Sequence, residues 1–195
     1  QTPEDLLLKK CGVGEKFTGN AATEWGTKME PVAIQMFEEQ YGEKVHELGL
    51  IPHEKYPWLG GSPDGLTDTN CLVEIKCPMI RKIIPGQVPE HYMPQLQLCM
   101  EIMNLESCFF VQYQPIEISW PKEAVFDVTI VKRDREWFNK YLPVMKEFWD
   151  KVLYHREHLD ELPKPKEKKT RKKKEVPPPV CEIQPISDED MYVDD

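Results

Sequence analysis

The sequence predicts an α/β domain built in layers, and three observations carry that prediction. Stretches with apolar residues at helical spacing alternate with short runs rich in Val, Ile and Phe. Their order along the chain is helix, three strands, helix, two strands, helix. Glycine and proline punctuate the boundaries, at Gly42, at Ser62-Pro63-Asp64-Gly65 and at Pro78.

Taken in order, residues 3–11 read as a short helix with Leu6, Leu7 and Leu8 as its apolar face, and residues 12–20 as a Gly-rich loop. A helix is predicted over 29–41, where Met29, Ala33, Met36 and Phe37 fall on one side and Gly42 ends the element. Residues 45–50 and 56–60 read as strands, 62–65 as a turn, and 71–76 (CLVEIK) as a third strand closed by Pro78. Residues 90–103 suggest a helix despite Pro94, with Tyr92, Leu96, Cys99 and Met103 together. Two more strands follow at 107–113 and 124–131. The last element is a long amphipathic helix whose expected buried face is Trp137, Tyr141, Val144, Met145, Phe148 and Val152.

The chain has 195 residues, with 25 Lys and Arg against 34 Asp and Glu, for a net charge of −9. That length suits one domain with an appendage. No run approaches the roughly 20 apolar residues of a membrane span, and no signal-peptide pattern opens the chain, so no membrane partner and an intracellular location are expected. The chain begins at Gln1, and Thr2-Pro3-Glu4-Asp5 reads as the entry to a helix already under way, so a piece of a longer protein is expected. Charge placement says more than its total. Residues 164–175 carry +6, residues 182–195 carry −6, and residues 1–163 hold the whole −9. The segment 163–195 is Pro-rich with almost no aromatic residue, cannot offset its ordering entropy by burial, and is expected to be disordered. The folded domain is then 1–162. Six cysteines show neither a CxxC pair nor zinc-finger spacing, which indicates free thiols, and their spacing lends no support to an iron–sulfur cluster.

The chemistry concentrates in the third strand. Residues two apart in a strand share a face, so Val73 and Ile75 go one way while Glu74 and Lys76 go the other, roughly 7 Å apart. An isolated E-x-K of this kind is usually an exposed face, and Asp64 by itself is ordinary turn chemistry. Together, Pro63-Asp64 followed ten residues later by Glu74-Ile75-Lys76 make the PD-(D/E)xK nuclease pattern. Two carboxylates at a strand hairpin suit Mg²⁺, a hard cation that takes oxygen ligands and keeps several waters. Such an ion lowers the pKa of a bound water and neutralises charge on the phosphate under attack. A Lys on the same face can orient or deprotonate that water, or stabilise developing charge.

The surrounding text is more specific. Trp25-Gly26-Thr27-Lys28-Met29-Glu30, Ser62-Pro63-Asp64-Gly65-Leu66, Leu72-Val73-Glu74-Ile75-Lys76-Cys77-Pro78 and Tyr92-Met93-Pro94-Gln95-Leu96-Gln97 occur in order, with a weaker match at 128–135 (VTIVKRDR). Together they resemble the lambda exonuclease / YqaJ family of viral recombination nucleases over roughly residues 20–150. The resemblance implies a restriction-endonuclease-like α/β/α core with a central mixed sheet and flanking helices. It implies Asp64 and Glu74 as the main metal ligands, with the backbone carbonyl of Ile75 assisting and Glu30 acting on a second position. The cofactor implied is Mg²⁺, with Mn²⁺ as the substitute, in two ions. Lys76 is implied as the catalytic lysine and Gln95 as a neighbour that positions it or the water. The family's N-terminal Arg and Ser/Thr pocket for a 5′-phosphate lies outside this sequence, so exonuclease polarity rests on the resemblance alone.

Several residues keep two readings. Thr27-x-x-Glu30 also fits a helix capping box. Gln95 also reads as a polar residue on a helix flank, and Gln97 points elsewhere, about 200° around the helix from it. Ser62 either contacts a phosphate or caps the turn. Trp25, Trp58, Tyr56 and Tyr92 either stack on bases or belong to the core. The basic run Lys168, Lys169, Arg171, Lys172, Lys173 and Lys174 fits a nuclear localisation signal, a sliding DNA contact or a solubilising tail, with the cytoplasm of an infected cell as the other location. The overall expectation is a metal-dependent DNA nuclease leaving 5′-phosphates, and in particular a 5′→3′ exonuclease on linear double-stranded DNA serving recombination or repair. A ring-shaped homotrimer and a single-strand annealing partner come with the resemblance. The rivals are a structure-specific or nicking endonuclease on the same core, an RNA-processing nuclease, and a catalytically silent DNA-binding or scaffold protein.

Overall fold

Strands β1 (Val45–His46), β4 (Gly65–Thr67), β5 (Leu72–Lys76), β6 (Ser107–Gln114) and β7 (Val125–Lys132) form one sheet in the order β1-β4-β5-β6-β7. β5 and β6 run parallel, and every other neighbour is antiparallel, so the sheet is mixed. β2 (Ile51–Pro52) and β3 (Gly60–Gly61) pair beside it as a small separate ribbon. The computed structural model describes residues 2–13, 18–116 and 123–163, which fall in one compact unit, Gln1–Pro163. The disorder expected for 163–195, and the basic run within it, lie outside the described residues apart from Pro163.

A parallel pair needs a crossover, and the segment between β5 and β6 supplies it as α3 (Met93–Ile102), entered through a 3-10 turn at Glu90–Tyr92. Pro94 sits in the first turn of α3, where its missing N–H costs the helix nothing. α3 covers one face of the sheet, with Leu72, Leu96, Cys99, Met100, Cys108, Phe110 and Val131 in a single apolar cluster. The other face is covered by α2 (Ala21–Tyr41), whose Ala33 and Phe37 pack against Val73, Ile75, Val111 and Tyr113. The layers are therefore helix, sheet, helix, as the sequence implies. α1 (Pro3–Lys10) and α3 both pack against the last helix, α4 (Arg135–Glu157).

Several elements differ from the sequence reading. α2 begins at Ala21 rather than Met29, because Asn20 caps it by accepting from the Thr23 N–H at 2.9 Å. Thr27 is thus mid-helix, and the capping box proposed for Thr27 and Glu30 does not form. The strand expected over 45–50 is only two residues long. Residues 56–60 form a turn, not a strand, and only Gly60 joins β3. Tyr56 instead packs its ring near His53 and Phe138. On α4 the inward row is Phe138, Leu142, Met145, Trp149 and Val152, a sustained i, i+4, i+7 stripe. Tyr141 and Val144, expected inside, are 39% and 61% exposed.

Candidate active site

β5 carries the site because its neighbours on both sides are buried strands. Leu72, Val73 and Glu74 are fully buried, and alternation sends Val73 and Ile75 into the α2 layer while Glu74 and Lys76 face α3. Asp64 stands at the bend entering β4, and its Oδ2 accepts the Ile75 N–H at 2.6 Å. That bond ties the bend to β5 and brings Asp64 Oδ2 to 3.9 Å from Lys76 Nζ. Lys76 is hydrogen-bonded to Glu74 Oε1. The same Oε1 accepts from Gln95 Nε2, on α3, at 2.6 Å. Glu74 Oε2 is buried with no hydrogen-bond partner.

Electrostatics follow from this packing. Burial pushes the Glu74 carboxyl up, and Lys76 offsets this only in part. Burial works to lower the Lys76 ammonium, but Glu74 and Asp64 together outweigh it, and the net direction is up. Lys76 is therefore held protonated. Glu30, on α2, is raised by burial and then by the nearby charge of Asp64.

A cleft of about 370 Å³ opens beside these groups, lined by Glu30, Asp64, Ile75, Lys76 and Tyr92. One face of α2 (Ala22, Thr23, Gly26, Thr27) forms its far wall. Gly26 falls before the helix predicted from residue 29, but the structure places it inside α2, where a glycine costs roughly 1 kcal/mol against Ala. Nothing lies within 4 Å of where its Cβ would be, so it leaves the wall low rather than relieving a clash.

Among the candidates from sequence, the structure gathers Asp64, Glu74, Ile75, Lys76, Glu30, Gln95 and Tyr92 at this one end of the sheet. Gln97 turns away as expected, donating to the Lys132 carbonyl and accepting from the Asp134 N–H. Ser62 is exposed, and neither Ser62 nor Trp25 is among the residues lining the cleft. Trp58 stacks on Trp149, away from it. The tail residues Lys168 to Lys174 lie outside the described residues. Sequence reasoning missed the buried amide of Gln112 and its partner Arg81, because the signal is a strand-to-strand register no local pattern encodes.

A divalent cation is implied by the resemblance, and the donor set fits one. The donors are all oxygen, the choice of hard cations, and the unpartnered Glu74 Oε2 is a buried acceptor that no protein donor serves. No group of three or more His, Cys, Asp or Glu side chains converges as a ready cage among the described residues. The five described cysteines are free and form no cluster.

Comparison with known proteins places this site in context. The fold matches an alkaline exonuclease, LHK-Exo of Laribacter hongkongensis, with a TM-score of 0.67 and 28% identity over 81% of each chain. A structure of that enzyme in complex with dAMP matches equally well. A phage-related exonuclease of Haemophilus somnus shares the fold with a TM-score of 0.57, at 14% identity over 83% of this chain and 82% of the other. Curated relatives include an uncharacterized protein of Acanthamoeba polyphaga mimivirus, 28% identical over 56% of this chain, and a protein of African swine fever virus, 29% identical over 47%. The chain spans only 23% and 35% of those two relatives' lengths. The family model for the YqaJ-like viral recombinase domain matches residues 1–106, and the chain belongs to that family.

Proposed function

We propose that this domain is a divalent-metal-dependent nuclease that hydrolyses phosphodiester bonds in DNA, working 5′→3′ on linear duplex ends. The observation that carries the reading is the arrangement at β5: Lys76 beside both Asp64 and Glu74, with Gln95 on Glu74 Oε1 and Oε2 unpartnered. The family and the likeness to an alkaline exonuclease support the nuclease; dAMP, bound by that enzyme, is the kind of mononucleotide an exonuclease releases. The 5′→3′ polarity follows from the resemblance of the motifs.

Asp64, Glu74, the Ile75 carbonyl and Glu30 are the residues that would hold Mg²⁺ or Mn²⁺. When bound, the ion supplies a lowered water pKa and neutralises phosphate charge. The protein's own groups do the rest. Lys76, on the same face as Glu74 and beside Asp64, donates to the oxygens on which charge develops as water attacks phosphorus and the 3′-oxygen leaves. Gln95 holds Glu74 in one rotamer, so that Oε2 keeps its aim. Within this reading a homotrimeric ring around the duplex and a single-strand annealing partner are expected companions, and the setting is recombination in an infected cell.

The test uses the purified chain with Mg²⁺ and 5′-end-labelled linear duplex, beside closed and nicked circles. Early release of the 5′ label from linear DNA, with both circles intact, is the expected result. Cutting of closed circles would replace the exonuclease with an endonuclease on the same core. Undiminished cleavage by both Lys76→Ala and Glu74→Ala would remove the assigned site.

A further inference from the structure

Gln112 is fully buried in β6, yet it belongs to no part of the machinery above. Its Cα partner across the parallel β5–β6 pair is Lys76, so the amide and the ammonium leave neighbouring strands on one face. The amide's orientation is set from behind. Nε2 donates to the Gln87 carbonyl at 3.0 Å and leans on Asp127 Oδ2 at 3.4 Å, and Asp127 is itself held by the Gly86 N–H and the Thr129 hydroxyl. With Nε2 so engaged, Oε1 must point outward, and there it accepts from Arg81 Nη2 at 3.0 Å.

Arg81 is thereby fixed beside the Tyr92 ring, its guanidinium carbon 5.8 Å from the ring centre. Lys76 Nζ lies 5.6 Å from the same centre. Two cations thus lie near one ring that lines the cleft, Arg81 itself not being among the lining residues, and among the described residues only Lys76 of the two has carboxylate partners. Among the described residues Arg81 hydrogen-bonds to neutral oxygens, the Gln112 amide and, at 3.4 Å, the Lys82 carbonyl. By contrast Arg133, nearly buried, is paired with Glu101 and Glu106. Arg81 is half-buried, and like charges near one ring repel, so an anion beside its guanidinium would offset that repulsion. A guanidinium with its fork only partly used, held by a buried amide, matches a phosphate in geometry and charge.

We propose that Arg81 binds a backbone phosphate of the DNA strand next to the one under attack, and that Gln112 is the positioning residue that holds it there. The inference rests on the nuclease reading and adds a substrate contact to it. Tyr92 separates the two tasks: Lys76 serves the reacting phosphate and Arg81 its neighbour.

The test is binding of a short fluorescein-labelled duplex by the full chain in EDTA, followed by anisotropy across a salt series, so that nothing is cut. Each phosphate contact adds about 0.9 to the slope of log affinity against log salt. Arg81→Gln should lower that slope by about 0.9 and weaken binding about ten-fold. Arg81→Lys should restore the slope, because the charge is kept. Gln112→Leu should weaken binding with Arg81 intact, and a thermal melt checks that it folds. An unchanged slope in Arg81→Gln overturns the proposal, whatever becomes of Gln112→Leu. Wild-type protein that binds with the expected slope but never cleaves under Mg²⁺ overturns the nuclease reading and leaves the phosphate contact standing. Wild-type protein that cleaves, with Arg81→Gln retaining the full slope, does the reverse.

Discussion

Gln95 on α3 donates its side-chain amide to Glu74 Oε1 on β5 at 2.6 Å, joining two residues from different layers of the fold. With Lys76 on the same oxygen, both donors are spent on Oε1, and Oε2 is left as an open acceptor. Gln95→Leu removes a hydrogen bond to a charged group, a loss of about 1.5–3 kcal/mol. Cleavage should slow about ten- to hundred-fold with KM nearly unchanged, as measured in single-turnover assays. A rate close to that of the wild type would show that Gln95 is only a helix-flank residue.

Lys76 also bears on stability. Glu74 has no exposure and Lys76 is its charged partner. Lys76→Met leaves a buried carboxylate uncompensated and should cost roughly 3–5 kcal/mol in urea unfolding with chelator present. Adding Glu74→Gln to the same chain removes the orphan charge and should recover most of the loss. Equal stability of wild type and Lys76→Met would contradict this.

Two glycines should respond in opposite ways. A Cβ at Gly65 would run into the Val45 side chain and come within 3.2 Å of the His46 carbonyl, so Gly65→Ala must push β1 away. A destabilisation of about 1–3 kcal/mol is expected. At Gly26 a Cβ meets nothing within 4 Å, so Gly26→Ala should stabilise α2 by roughly 0.5–1 kcal/mol. Because Gly26 lines the cleft, the same change should raise KM for duplex. Paired thermal melts and kinetics on both variants decide it.

The buried thiols should be inert. Burial pushes Cys99 up to about 12 and moves Cys71 and Cys108 in the same direction, so all three stay protonated at assay pH. Iodoacetamide at pH 8 should label them only after denaturation, as read by peptide mass spectrometry. Labelling of Cys108 in the folded protein would mean that the α3 layer opens.

Acid should loosen the junction of α2 with β1. Glu38 accepts the Val45 N–H and the Lys44 ammonium, each at 2.9 Å, and these hold its carboxyl below the ordinary 4.5, the backbone bond first. A depressed folded pKa means the contribution is whole above 4.5 and is lost as pH falls through the lower folded value. Glu38→Gln lacks that titration. Its melting temperature should therefore lie below the wild type's near neutrality, with the gap closing as pH drops. A gap independent of pH would assign the difference to packing.

Local chemistry made much of the site legible. The two-residue period of β5 put Glu74 and Lys76 on one face, and the turn residues before β4 marked Asp64. The spacing of Tyr92, Leu96 and Cys99 marked α3. The helix start was less legible: Asn20 is the cap, and the Gly-rich stretch ending at it hid the signal inside an apparent loop. Residues 56–60 looked like a strand because aromatic residues favour strands, but Tyr56 and Trp58 are used in side-chain packing instead. On α4, apolar residues continue around too much of the helix for sequence to choose the stripe, and contact with α1 and α3 chooses it.

By itself, then, the sequence determined the layered α/β class, the order of most elements and the acidic pair with its lysine, because these follow from backbone periods and turn chemistry within a few residues. Family motifs point to Gln95 and Glu30 as neighbours of the site, but tertiary structure decided that Gln95 reaches Glu74 Oε1 and that Glu30 lines the cleft from α2. It alone decided that Gln112 stands beside Lys76 and holds Arg81. Those relations depend on the register of a parallel strand pair and on where two helices settle against the sheet. Such choices are made by burial of the whole core, and no short stretch of chain carries enough free energy to specify them alone.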